Sequence, residues 1–587
     1  MRYELIEGSL NDLSKPLETV LLNRGLTDWK KYLNLDESCV QDFNALDNMR
    51  EAVECFMKHY EQHDKIIVMP DSDTDGYTSS AMLYLYIKAL NEDYPVEYIM
   101  HNRNKSHGLA DHDYTIPEDV KLFIIADAST NDAKECNELI EKGIDVIILD
   151  HHVGNAVEEG EEQVEAQVAE NNNAIIVNNQ LSPNYNNKDL SGAGIVYRFL
   201  QALDEELWEC YADDFVDLCG LGNIADVMDI RSYETRYFIE KGLANIKNPF
   251  IKALLDAQEY STKGIVNVHN IAWFIAPVIN AMIRVGTAEE RELMFKAFIG
   301  QYEEFPYKKR SGEVIQENTY DRAARLAKNA KSRQDNSKKK IIKEVESQID
   351  PEDKVILIVS NSEESGLLGL AAMNIADTYK RPTILVKHRT VDGVDVLNGS
   401  IRNFDNSPID NFQQFILDTK IANWVTGHAN AAGISINAEN IQDAKDAFNN
   451  ALENVDMTKM YYVDFEIDAE DLDASFIQDI DSLKWIWGTG IKEPKIVIKD
   501  ITIKRSDIKV QGKDSDSVAF TIDGIKFVQF KMAQDHPLLE WASDWGEDED
   551  DEVIVDVIGE VEISEFLGVY TPQVKIIESE ITYGLDL

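Results

Sequence analysis

The chain has 587 residues, 44% hydrophobic and 28% charged, with a formal net charge of −50. At ~150 residues per domain this length calls for about four domains, and no apolar stretch approaches the ~20 residues of a membrane span. The five cysteines form no CxxC pair, which fits buried free thiols in a reducing cytoplasm better than a disulfide or zinc framework. The start, "MRYELIEGSLNDLSK", lacks the apolar core of a signal peptide. Averaged over the surface, the acidity argues against a polyanion partner, since nucleic-acid binders carry a basic footprint.

In chain order, strands and helices alternate from 65 to 230. "KIIVM" (65–69), "PVEYIM" (95–100), "KLFIIA" (121–126), "DVIIL" (145–149) and "AIIVN" (174–178) are short apolar runs rich in β-branched residues. Such runs suit parallel strands buried on both faces. Helical stretches such as Ser79–Leu90 and Asp132–Lys142 lie between them. The pattern predicts a doubly wound α/β sheet, whose ligand site lies beyond the carboxyl ends of the strands. A charged helical linker follows, from about Lys308 to Glu346. A second, smaller α/β unit comes next, with strand 353–360, helix 367–380 and strand 382–387. From about 494 the pattern changes to alternating strands with turns, predicting a small β-barrel. The acidic segments 158–167 and 547–552 read as solvated insertions or loops.

Polar residues cluster just after the predicted strands. Asp71, Asp73 and Asp75 follow the first, with Gly76 behind them; Asp127 follows another. Asp150, His151 and His152 follow a third, and Asp226 stands in "GLGNIADVMD". Taken singly, an Asp after a strand is usually a cap or turn residue. The DxDxDG run lacks the closing glutamate of a calcium-binding EF-hand, since Met82 fills that place. Together, hard oxygen ligands with imidazole suit Mn²⁺ or Mg²⁺. Two such ions form a hydrolytic clamp for phosphoryl transfer. On this reading an extended backbone aims the three alternating carboxylates at one point.

These residues resemble the DHH phosphoesterase superfamily, named for the triplet matched by Asp150-His151-His152, and within it the RecJ-type single-strand-specific exonucleases. "LLNRGL", "DSDTDGYTS", "ADAS", "LDHH", "SGAGIVYRFL", "GNIADVMDI", "IAPVINAMIRVG", "NGSIRN" and "TGHANAAG" match the family's motifs in order, over nearly the whole chain. The resemblance implies two metals held by Asp71, Asp73, Asp75, Asp127, His151 and Asp226, with Asp71 either touching metal or supporting its neighbours. It implies that Asp73, Asp75, Asp127, His151, His152 and Asp226 are catalytic, His152 touching the scissile phosphate or orienting a ligand. Arg103, Ser400 and Arg402 would hold a 5′-phosphate, with Arg284 and His428 beside the substrate; an Arg fork and a hydroxyl suit that capture. One glycine of the family's Gly-Gly-His is replaced, by Thr426, and the C-terminal module is acidic where basic or aromatic residues are expected.

The implied organisation is an N-terminal helical segment (1–60), a DHH catalytic domain (61–305) and a basic helical linker (306–350). A DHH-associated substrate-binding domain (351–455), a connector (456–493) and an OB-fold-like module (494–587) complete it. Between 308 and 343 stand twelve basic residues and four acids. Arg322, Arg325, Lys328 and Lys331 repeat at helical spacing, so one basic helix face is expected to border the metal site and draw in single strands. The expected function is metal-dependent 5′→3′ hydrolysis of single-stranded DNA to 5′-mononucleotides in recombination and repair. The alternative is a phosphodiesterase for oligonucleotides or cyclic dinucleotides. Expected partners are single-stranded DNA and single-strand-binding or recombination proteins, for a cytoplasmic monomer without a membrane.

Overall fold

The computed structural model describes residues 1–101, 107–110, 115–154, 172–391, 393–544, 551–566 and 568–583. Arg103, the acidic stretch 158–167 and most of 547–552 lie outside the described residues. The chain divides into two compact units. One comprises 30–334 with 485–492; the other comprises 1–29, 335–484 and 493–587.

The first unit is built on a five-stranded sheet: β1 (Lys65–Pro70), β2 (Val96–Tyr98), β3 (Val120–Ala126), β4 (Asp145–Asp150) and β5 (Ile175–Asn178). Their order is β2-β1-β3-β4-β5, and every pair is parallel. Ile66, Ile67, Val68 and Met69 are all fully buried, so consecutive residues pack on opposite faces of the sheet. That is why the strand reads as an unbroken apolar run. Ile67, Phe123 and Ile148 share one core with Cys136 and Leu139 of the helix Ala133–Glu141. Because β1, β3 and β4 are neighbours, the residues that follow them converge at one sheet edge.

Helix α1 (Thr74–Leu90) begins five residues ahead of the expected Ser79. It packs against α2 (Gly192–Leu207) and α3 (Val216–Ala225). Further on, α4 (Ala276–Val285) continues from a π-helical turn, Ile271–Ile275, ahead of Pro277; the proline ring cannot complete an ordinary preceding turn. Contrary to the sequence reading, one run, Val268–Val285, is long and apolar enough to cross a membrane, and half of it is buried inside the protein.

The linker departs from expectation. It opens with an antiparallel hairpin, β6 (Glu304–Lys308) with β7 (Val314–Asn318), before α5 (Thr319–Val345) starts. The helix face expected to attract nucleic acid is engaged within the protein. Arg322 lies 4.5 Å over the Phe305 ring, Arg325 lies 4.1 Å over Tyr307, and Lys328 bonds the Ala257 carbonyl.

In the second unit, β8 (Ile356–Val359), β9 (Thr383–Val391), β10 (Val394–Arg402), β11 (Trp424–His428) and β12 (Ala431–Asn437) form a sheet of order β11-β12-β10-β9-β8. Its core joins Ile384, Ile401 and Ile434 to Phe412 and Phe448. Helix α6 (Leu368–Tyr379) covers β9 and β10. A seven-stranded sheet follows. It takes its first strand, Phe465–Asp468, ahead of residue 494, and pairs it with Ile496–Lys504. The N-terminal strand Tyr3–Leu5 pairs with Tyr461–Val463, and Arg24 grips both oxygens of Asp464 at 2.6 and 3.0 Å.

Candidate metal centre

Asp73 is the N-cap of α1: its Oδ1 accepts the Gly76 amide at 2.9 Å. The three acids therefore do not share an extended segment, because Asp75 already stands in the first helical turn. Asp71 accepts the Gly108 amide at 3.0 Å on Oδ1 and faces His107 Nδ1 at 2.9 Å with Oδ2. Asp75 uses Oδ1 for the Ser191 hydroxyl (2.8 Å) and the Ala193 amide (3.1 Å). Its other oxygen is buried without a hydrogen-bond partner. Gly222 makes this approach possible, since a Cβ there would lie 2.4 Å from Asp75 Oδ1. Asp127 stands at φ 66°, a left-handed conformation that Asp tolerates better than most residues and that clusters at functional sites.

Asp127 Oδ1 and His151 Nε2 are likewise buried with no hydrogen-bond partner. Yet His151 Nε2 lies 3.2 Å from Asp127 Oδ1 and 3.3 Å from Asp226 Oδ2. The atoms are close but not aligned to bond one another; they aim at a shared point. Ligand atoms of Asp75, His151 and Asp226 fall within 4.8 Å of each other, as do those of Asp71, Asp73 and Asp127, and those of Asp127, His151 and His152. Asp127 belongs to two of these groups and so stands between them.

Burial and mutual repulsion shift these groups strongly. Burial, then the Asp73 charge, pushes Asp75 up to about 6. Burial and the Asp75 charge push Asp226 up to about 8, and the same causes hold Asp127 well above the usual carboxylate range. Burial, then the neighbouring His152, lowers His151 to about 4, leaving it a neutral donor-free nitrogen for a metal. Orphaned oxygen and imidazole atoms, with no thiolate among them, fit Mn²⁺ or Mg²⁺.

Asp150 accepts from the His151 and His152 amides, from His152 Nδ1 (2.7 Å) and from Thr130 Oγ1 (2.6 Å). Burial alone would raise its pKa, but these bonds, led by that of His152, hold it below the usual range. In return, Asp150 outweighs the burial of His152 and raises that imidazole to about 9. Asn280 on α4 accepts from the Thr74 amide and hydroxyl, at 3.1 and 2.8 Å, so α4 is fastened to the metal loop. One turn on, Arg284 is exposed and within electrostatic reach of Asp73. Sequence reasoning did not single out His107 or Asn280.

Residues 65–222 match the family model described as the DHH family, N-terminal domain, and 463–578 match the RecJ OB domain. The chain is 37% identical over 590 residues to a putative SPbeta prophage-derived single-strand DNA-specific exonuclease, YorK, of Bacillus subtilis, covering 99% of this chain and 98% of that protein. This chain belongs to the RecJ branch of the DHH family. The single-stranded-DNA-specific exonuclease RecJ of Thermus thermophilus is 27% identical over 350 residues, 58% of this chain and 46% of that protein. The crystal structure of that organism's RecJ with Mn²⁺ shares the fold, at 20% identity and TM-score 0.71, over 99% of this chain and 78% of that one.

The remaining family-implied residues lie in the second unit. Ser400 and Arg402 are two positions apart on β10, so they share a sheet face. Arg402 pairs with Ala431, which pairs with His428, placing all three in one cross-strand row. His428 is the last residue of β11. At the start of α6, a Cβ on Gly369 would lie 2.6 Å from Arg402 Nη2 and 3.3 Å from Ser400 Oγ. A helix N-terminus, a guanidinium and a hydroxyl thus meet where an added methyl group would close the gap, a combination suited to an anion.

Proposed function

We propose that this RecJ-family chain is a divalent-metal-dependent exonuclease that degrades single-stranded DNA from its 5′ end to 5′-mononucleotides. The convergence of three buried, unpartnered ligand atoms, Asp75 Oδ2, Asp127 Oδ1 and His151 Nε2, carries the reading. In this proposal Asp71, Asp73, Asp75, Asp127, His151 and Asp226 hold two cations, Mn²⁺ or Mg²⁺. Cations held there would supply Lewis-acid chemistry, giving a more acidic water and positive charge beside the phosphoryl oxygens.

The chain's own residues do the rest. Asp150 orients the His152 ring through Nδ1 and holds the His151 backbone amide. His152, kept protonated near neutral pH, is placed to donate to a phosphate oxygen. Arg284, at the edge of the centre, is placed to meet phosphate charge. Ser400, Arg402 and the α6 N-terminus receive the 5′-phosphate, with Arg103 assigned to the same task by resemblance. Residues 61–305 then serve as the catalytic domain and 351–455 as the substrate-binding domain, beside an OB module that begins with the strand Phe465–Asp468. The setting is cytoplasmic DNA recombination and repair.

The test is degradation of single strands labelled at either end, with Mn²⁺. The 5′-labelled strand should lose its label first, as a mononucleotide, and duplex should resist. First loss of the 3′ label would reverse the polarity, and hydrolysis of dinucleotides alone would overturn the reading. Asp75→Ala should abolish turnover.

A further inference from the structure

The hairpin β6–β7 is the element of the linker that the expected helical reading lacks, and it carries "KKRSG" at its tip. Its alternation is two-faced. Phe305, Tyr307, Ile315 and Glu317 point inward; Lys308, Val314 and Gln316 point out. The inner face is clamped to α5. Arg325 bonds the buried Glu317 through two nitrogens at 2.7 Å each while stacking on Tyr307, and Arg322 stacks on Phe305. The tip is a closed turn: Gly312 donates to the Lys309 carbonyl (2.9 Å) and Lys309 donates to the Glu313 carbonyl (2.8 Å). Gly312 takes φ 90°, the left-handed position that closes a three-residue hairpin loop.

We infer that this tip is a binding site for the phosphodiester backbone of a single strand. The inference rests on the proposed function and adds a second contact to it. The chain carries −50, and the cations of the neighbouring helix face already have internal partners. Lys308, Lys309 and Arg310 are consecutive and exposed, with Glu313 the one acid in 308–313. Lys309 pairs with Glu313 at 3.1 Å, whereas Lys308 and Arg310 make no ion pair among the described residues. Two free cations held on a braced turn cost little ordering when a phosphate chain binds, and each phosphate neutralised releases a counterion.

The test replaces all three cations, Lys308→Gln, Lys309→Gln and Arg310→Gln, leaving Gly312 and the inner face intact. Binding to a long single strand is measured against salt in EDTA, where no turnover occurs. At ~0.7 per phosphate contact on single strands, loss of the two free cations should lower the slope of log K against log salt by about 1.4. Hydrolysis of a trinucleotide with Mn²⁺ should keep its rate. Glu313→Gln, which removes the tip's acid, should tighten long-strand binding. An unchanged slope in the triple variant, or unchanged binding in Glu313→Gln, overturns the inference, as does a loss confined to binding of polyglutamate, which would mark an acidic protein as the ligand. Failure of the wild-type chain to hydrolyse any single strand overturns the proposed function instead, and leaves the binding slope to decide the hairpin.

Discussion

At the scale of residues, the centre separates atoms that are already satisfied from atoms that wait. Asp75 shows both in one side chain: Oδ1 is bonded twice and Oδ2 not at all. Such a site is built at the expense of stability, because buried like charges repel. Asp127→Asn should therefore raise the melting temperature of the metal-free protein while removing activity, checked by thermal unfolding in EDTA beside a turnover assay. Asp150 acts through the histidines. Asp150→Asn should lower turnover ~10- to 100-fold, the usual cost of losing a group that orients a ligand. It should also bring the His152 titration down from about 9, read by NMR; a residue with a merely structural role would leave that titration in place.

Asp71, Asp73, Asp75, Asp127, His151 and His152 were legible because each follows an apolar strand, and the sheet order brings those strand ends together; Asp226 instead caps the end of α3. His107 and Asn280 were not legible in that way. His107 stands well beyond the end of β2, and its contact with Asp71 spans 36 positions. Asn280 sits in a helix and meets Thr74 206 positions away. Neither contact leaves a local pattern. The cap was misread for a related reason: Asp73 looks like one of three equal acids, and only the Gly76 amide marks it as the start of the helix.

At the scale of elements, close approach decides what each helix can carry. Gly222 lets α3 lie against Asp75, and a Cβ there would also meet Ala193 Cβ at 2.4 Å. Gly222→Ala should cost about 1–3 kcal/mol by overpacking, and should weaken Mn²⁺ binding, measured by calorimetry. Gly369→Ala sets a Cβ against Arg402 and should reduce the preference for a 5′-phosphate over a 5′-hydroxyl while leaving the metal centre intact. The buried parallel strands were readable from their continuous apolar character. The hairpin was not, because its apolar inner face is only Phe305, Tyr307 and Ile315, interleaved with charges that merge into the basic helix beyond. The same charges suggested a basic helix face, and their partners became visible only in three dimensions.

At the scale of the whole molecule, the centre couples stability to pH. Asp226, raised to about 8, and His152, raised to about 9, both bind more protons folded than unfolded between about pH 6.5 and 8. Stability then falls as pH rises through that window. Divalent cations replace those protons, so the melting temperature of the metal-free protein should drop from pH 6.5 to 8, and saturating Mn²⁺ should flatten the slope. Metal at ~100 times its Kd adds about 2.7 kcal/mol to the folded state. Equal slopes with and without metal would show that these groups do not control the transition.

The cap on α1 gives this coupling a local reporter. The Asp73 carboxylate that stands in the metal cluster also closes the first turn of the helix through the Gly76 amide. The turn is already closed by this bond, and a cation held by the same carboxylate would steady it further. The Gly76 amide should exchange its hydrogen with solvent more slowly with Mn²⁺ bound than in EDTA, ahead of any change deeper in the helix. Occupancy could then be followed at a single backbone proton, without substrate and without catalysis.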